Sequence, residues 1–189
     1  MSLSKNKKPL NYLMSVLSII FLVLFIIFLT KNSETITVLL LKSGAWAPLI
    51  ALILYPLLAI TPITTDPITM ILAVTYGPFI TILVAWMGNN LAALVEYYFG
   101  YKIGDAVDFE NEKNNLPFGL GKLPIDSVPV LIFGRMIPGY GSKVISILAA
   151  LYKVPVKRYF WTTAVTNLLG SIMFAYGSFG LVEFLKRFF

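Results

Sequence analysis

Arg135 and Lys143 stand four residues on either side of Gly139, in the middle of a Pro138-Gly139-Tyr140-Gly141-Ser142 break between apolar stretches. A tight hairpin at that break brings both cations to a similar depth on opposite arms. Two fixed cations near one point make an anion site, and the planar fork of Arg suits phosphate. Ser142 is placed to cap the returning helix, whose positive end adds attraction for an anion. Pro138 and Gly139 shape the tip. A second break, Thr61-Pro62-Ile63-Thr64-Thr65-Asp66-Pro67, carries Asp66 between tip-shaping Pro62 and Pro67. Asp66 reads as an N-cap with Pro67 at the first helical position. An ionisable group in such apolar surroundings is costly, which makes function the default reading. Asp66 is therefore also a candidate proton acceptor and a counter-ion for Arg135; protonating it would free Arg135 for phosphate. Glu96 is the second candidate for proton coupling, although its neighbours Tyr97, Tyr98 and Lys102 favour an interfacial position.

Other chemistry is excluded. The 189 residues contain no His and no Cys, which removes His-ligated zinc, His-based nucleophile activation, phospho-His and disulfides. Ser142 and Lys143 are sequence neighbours, and on a helix they point about 100° apart. No Asp-Asp pair is present for Mg²⁺. No catalysis, metal or cofactor is expected. Charged residues make up 13% and hydrophobic ones 58%, against roughly 25% charged in soluble domains. This composition is that of an integral membrane protein. The net charge of +6 then points to anionic lipid head groups rather than nucleic acid.

The elements that position these residues follow from apolar runs and breakers. Residues 1–43 comprise a basic start, an uncleaved transmembrane helix over 10–29, and a segment over 31–43 that is either an interfacial helix or a linker. Residues 44–60 are apolar, with Pro48 and Pro56 interrupting. After the first break, 68–76 is too short to span and stops at Gly77-Pro78; 79–99 is long enough to cross. Residues 101–127 are a polar loop. The pattern recurs: 128–136, the second break, 144–152, a stop at Val154-Pro155 and a final spanning helix over 159–185. Residues 44–189 are thus one domain with halves at about 48–100 and 128–185. The expected fold is all-α and integral to the membrane, an inverted repeat of two re-entrant helical hairpins plus spanning helices. With a cytoplasmic N-terminus, nine Lys and Arg fall inside and four outside. Asn89, Asn90, Thr162, Thr163, Thr166 and Asn167 are expected to join helices, and Gly170, Gly177 and Gly180 to allow close packing.

Several motifs resemble the DedA superfamily, also called the VTT or SNARE-associated domain. They are GAWAP at 44–48, Pro62 to Asp66 at the first tip, AVTYGP at 73–78, YFGYKIG at 98–104 and, most specifically, FGRMIPG at 133–139. The resemblance covers about 44–180. It implies lipid movement: recycling of undecaprenyl phosphate in bacterial members and phospholipid scrambling in eukaryotic ones. The combined expectation is a multi-pass plasma-membrane transporter for an anionic lipid, a polyprenyl phosphate, with possible coupling to protons. Arg135 binds the phosphate, Lys143 and Ser142 support it, and Asp66 takes the proton. The alternatives are a non-selective scramblase, a proton-coupled small-ion exchanger and a membrane scaffold. A chain this short is compatible with a homo-oligomer.

Overall fold

The computed structural model describes residues 33–61, 63–106, 109, 124–137 and 141–185, with the backbone alone for 33–37, 181–183 and 185. The expected helix over 10–29, most of the polar connection, and the tip residues Pro62, Pro138 and Gly139 lie outside the described residues. The described elements are all helical: α1 (Ser33–Lys42), a 3-10 turn (Gly44–Trp46), α2 (Ala47–Ala59), α3 (Asp66–Ala106), α4 (Val128–Phe133), α5 (Gly141–Leu151) and α6 (Val156–Leu185). No strand occurs among the described residues. Met1–Leu39 and Leu40–Phe189 are separate compact units, and the helices from α2 onward belong to the second.

The breakers act largely where expected, with informative differences. Gly77 interrupts α3 with φ 77° and ψ 169°, a left-handed conformation that glycine adopts without a Cβ penalty. Pro78 follows it and disfavours a helical residue at 77. The short apolar segment 66–76 and the long one 78–106 are therefore distinct helical pieces meeting at this break. The two prolines expected to interrupt 44–60 do not. Pro48 sits in the first turn of α2, where a missing N–H costs nothing, and the helix continues through Pro56. Of the segment over 31–43, for which helix and linker are both open from sequence, residues 33–42 are helical as α1. Residues 101–106, expected in the loop, continue α3: Gly104 packs against Leu151, and Asp105 pairs with Lys153 at 3.4 Å. Lys153 takes φ 51° and ends α5, with Val154 N–H on Ala149 O and Lys153 N–H on Ala150 O. That pattern satisfies the last carbonyls of the helix. α6 then starts at Val156, directly after Pro155 and ahead of the expected 159.

The order short helix, turn, short helix, break, long helix thus occurs twice, over 47–106 and 128–185. At about 1.5 Å per residue, α2 is about 20 Å long, well short of the roughly 30 Å hydrocarbon core of a bilayer. α3 is the one helix among the described residues that is both long and apolar enough to cross a membrane.

α3 is the spine against which α2, α5 and α6 pack. Gly88, Ala92, Glu96, Gly100 and Gly104 recur every four residues, and all are buried. A Cβ on Gly88 would lie 2.4 Å from the ring of Tyr55, and one on Gly100 would lie 2.8 Å from the Ala150 Cβ. Tyr55 is fully buried, and its hydroxyl bonds Thr69 Oγ1 at 2.7 Å, which ties α2 to the start of α3. Near the other end, Tyr97 donates to Val154 O at 2.6 Å and its ring lies 4.7 Å from that of Tyr159. These rings share a core with Leu131, Ile145 and Ala149. The expectation for Gly170, Gly177 and Gly180 is overturned: a Cβ on any of them would meet nothing within 4 Å. Close approach occurs instead on the α3 stripe, because that is the helix with neighbours on several sides.

Gly88→Leu forces the Tyr55 ring out of place and is expected to lower stability by about 1–3 kcal/mol. Gly177→Leu, in open space, is expected to melt like the wild type. Thermal unfolding of the purified proteins in detergent checks both.

Candidate functional site

Arg135 lies in the turn that follows α4 and is only 8% exposed. Its Nη1 donates to Ser146 Oγ at 2.8 Å and Ser142 O at 3.3 Å, both on α5; its Nη2 donates to Asn167 Oδ1 on α6 at 3.4 Å. The guanidinium carbon stands 5.8 Å from the centroid of the Tyr159 ring. Every one of these partners is neutral. Arg stays protonated in proteins, so this is a buried permanent charge with no carboxylate within 4 Å among the described residues. Its Nε–H has no acceptor among them either. A buried donor left unpaired costs about 1–3 kcal/mol, which an acceptor brought to it would recover.

Ser146 organises this site. It accepts from Arg135, lies 2.8 Å from Ser142 O and stands 2.9 Å from the Tyr159 hydroxyl. Tyr159 is also 2.8 Å from Ala93 O, so its one proton is shared between α3 and α5. Asn167 in turn donates to Asn90 Oδ1 at 3.3 Å, and Asn90 to Trp86 O at 2.7 Å. Trp86 Nε1 reaches Ala164 O at 2.9 Å. These bonds run from α3 to α6 and hold Asn167 in position for Arg135.

A cavity of about 350 Å³ opens beside Arg135. Asp66, Asn89, Ser142, Lys143, Thr166 and Asn167 line it. Ser171 lines it too; its hydroxyl is buried and has no partner among the described residues. A smaller cavity of about 50 Å³ adjoins, sharing Arg135, Lys143, Asn89 and Asn167 and adding Glu96 and Tyr55. The structure therefore brings together Arg135, Lys143, Asp66, Ser142 and Glu96, which the sequence places up to 77 positions apart.

Their roles differ from expectation in three places. Lys143 is not a free second cation: its ammonium donates to Leu58 O at 3.3 Å, Thr61 O at 2.5 Å and Ile63 O at 3.0 Å. Those carbonyls close α2 and begin the turn before α3, so Lys143 on α5 clamps the opposite hairpin. Asp66 and Arg135 are not each other's partner. No ion pair joins Asp66 to Arg135 or Lys143 among the described residues, and Asp66 is exposed in the first turn of α3 at the rim of the cavity. The first intrahelical acceptor is Thr65 O, which takes Thr69 N–H, so the cap position falls one residue earlier than expected. Glu96 does not share the outward setting of Tyr98 and Lys102. It is 7% exposed, and the groups that act on its carboxylate are Ser146, Arg135 and Lys143. Its place on the four-residue stripe of small residues was the signal for that depth. Ser146 and Tyr159 were not singled out from sequence; the spacing of Ser146 from Ser142 by one helical turn is the only trace of the first, and Tyr159 has none.

The arrangement is two adjoining cavities that share Arg135 and Lys143, with the exposed Asp66 on the larger and the buried Glu96 on the smaller. It can hold an oxyanion at Arg135 and adjust its net charge by protonating either acid. Comparison with known proteins matches the family model of the VTT domain, the DedA/SNARE-associated domain, to residues 61–179. That span contains all of these residues. No curated protein and no solved structure matches the chain.

Lys143→Met keeps the stem and removes the ammonium, leaving three carbonyls short of a donor. It is expected to cost about 1–3 kcal/mol of stability, read as a lower melting temperature in detergent. A lysine that served only an arriving anion would leave the melting temperature unchanged.

Proposed function

The chain belongs to the VTT domain family, a family of membrane proteins, and from that premise we propose that it is a transporter carrying an anionic lipid across the bilayer by its phosphate head. The single observation that carries this reading is the buried Arg135, held by neutral acceptors at Nη1 and Nη2 with Nε left without one among the described residues. The lipid indicated by the family resemblance is a polyprenyl phosphate, undecaprenyl phosphate in bacterial members. The protein sits in the plasma membrane as a multi-pass protein with its N-terminus in the cytoplasm. The paired elements over 47–106 and 128–185 act as opposed re-entrant hairpins, and their meeting point near the midplane is the Lys143 clamp beside Arg135.

The distribution of side chains supports a lipid setting. Phe79, Met173 and Trp46 are 74%, 69% and 68% exposed, while Arg135, Glu96, Asn90, Thr162 and Ser171 are buried. An apolar outside around a polar inside suits a bilayer, where large exposed apolar surface needs no further cover.

In the proposed cycle the Arg135 side chain, which lines the cavity, turns its guanidinium to donate to the phosphate oxygens. Asp66 and Glu96 offset the cationic charge while ionised. Proton uptake on either one raises the net positive charge of the cavity and draws the anion in; proton release expels it. No covalent bond forms or breaks, and no metal or cofactor takes part.

The test is translocation of polyprenyl phosphate loaded in one leaflet of proteoliposomes under an imposed pH gradient. Arg135→Ala is expected to lower the rate about tenfold or more, since hydrogen bonds to a charged group contribute about 1.5–3 kcal/mol. Asp66→Asn is expected to bind phosphate as well as the wild type and to lose its response to the gradient. Equal movement of ordinary phospholipid by wild type and Arg135→Ala contradicts the reading in favour of a scramblase. Ion flux in vesicles free of polyprenyl lipid contradicts it in favour of an exchanger.

A further inference from the structure

The cavity beside Arg135 changes character along its wall. Its inner part is lined by buried polar groups, with Thr69 4%, Thr166 7% and Ser171 3% exposed. Its outer part is lined by Met136, Ile137, Leu169, Met173 and Phe174, all apolar and between 46% and 69% exposed. Gly170 lines the cavity as well, next to Ser171 in sequence, with nothing within 4 Å of where a Cβ would project.

A soluble anion gains nothing from such an exit. Five exposed apolar side chains around the mouth disfavour a hydrated ion, and a polar cavity opening to water does not need them. An amphiphile fits both parts at once, with its phosphate beside the Arg135 side chain and its chain leaving between the α4 turn and α6. Dispersion and burial against Met and Phe side chains then hold the first segments of the chain.

We propose that Gly170 is the doorway of a lateral portal through which the hydrocarbon chain of the substrate leaves the cavity while its phosphate stays at Arg135. This rests on the phosphate-binding reading above and deepens it: the site selects phosphates that carry a single long apolar chain over free phosphate. Met173 and Phe174 form one jamb of the portal, and Met136 and Ile137 the other. The missing side chain at 170 is the space the hydrocarbon chain occupies.

Gly170→Leu places a side chain in that space. Neither backbone strain nor a clash opposes it, and leucine favours the helix over glycine. Gly177→Leu is the control, two turns further along the same face, equally open and outside the cavity lining. Two readouts separate head from tail: equilibrium binding of inorganic phosphate to protein in nanodiscs, and translocation of dodecyl phosphate in proteoliposomes. The expected result for Gly170→Leu is phosphate affinity within twofold of the wild type and dodecyl phosphate translocation reduced tenfold or more. Gly177→Leu is expected to match the wild type in both. Wild-type translocation by Gly170→Leu overturns the portal and leaves the anion site standing, as does a wild-type protein that binds phosphate and moves no dodecyl phosphate. A wild-type protein that neither binds phosphate nor moves dodecyl phosphate overturns the underlying reading and the portal together.

Discussion

A guanidinium that cannot lose its proton is buried between three helical elements beside a cavity, and most of the surrounding structure is accounted for by what that requires. Arg135 needs acceptors, and α5 and α6 supply them through Ser142, Ser146 and Asn167. Those acceptors need to be held, and the Tyr159 hydroxyl and the Asn167–Asn90–Trp86 bonds hold them against α3. The hairpin that carries Arg135 must also stay against its counterpart, and Lys143 performs that with three backbone carbonyls from the other half. Fully satisfied, a buried charge of this kind would be a structural element only. Here Nε has no acceptor among the described residues, which leaves the network incomplete.

The two carboxylates occupy different positions relative to this charge. Asp66 is exposed at the cavity rim, in the first turn of α3; Glu96 is buried behind Arg135 against Ser146. The separation is set by the helix. Both acids belong to α3, with the break at Gly77 between them, and thirty residues place them at different depths along one spine. Glu96 stands near both Arg135 and Lys143, and Asp66 near Lys143, so the two acids bear on the cations from different places on α3.

The helical class, the break at Gly77-Pro78, the non-helical residues 61 and 63–65, the turn at 134–137, and the grouping of Asp66, Ser142, Arg135 and Lys143 are legible because breakers and charges stand out against apolar sequence. What was not legible depended on contacts between distant segments. Lys143 reads as a second ligand for an anion until the carbonyls of Leu58, Thr61 and Ile63, about eighty positions earlier, are seen beneath it. Glu96 was assigned from its aromatic neighbours Tyr97 and Tyr98, yet the four-residue recurrence of Gly88, Ala92, Gly100 and Gly104 fixes its direction. Local composition and helical phase disagreed, and phase decided. The glycines of α6 follow the same lesson. A run of Gly170, Gly177 and Gly180 resembles a packing stripe, but only the partner helix decides whether a glycine is a contact or an opening.

The account turns on Arg135 as the receiver of an oxyanion. The most direct measurement is a structure determined from crystals soaked in tungstate, whose anomalous signal locates a tetrahedral oxyanion without reference to any transport assay. The account predicts one strong peak in the inner part of the cavity, with an oxygen within hydrogen-bond distance of the Arg135 guanidinium, and its loss in Arg135→Ala. An empty cavity at saturating tungstate, with peaks only on exposed lysines such as Lys102 and Lys157, would contradict it and return Arg135 to a purely structural role.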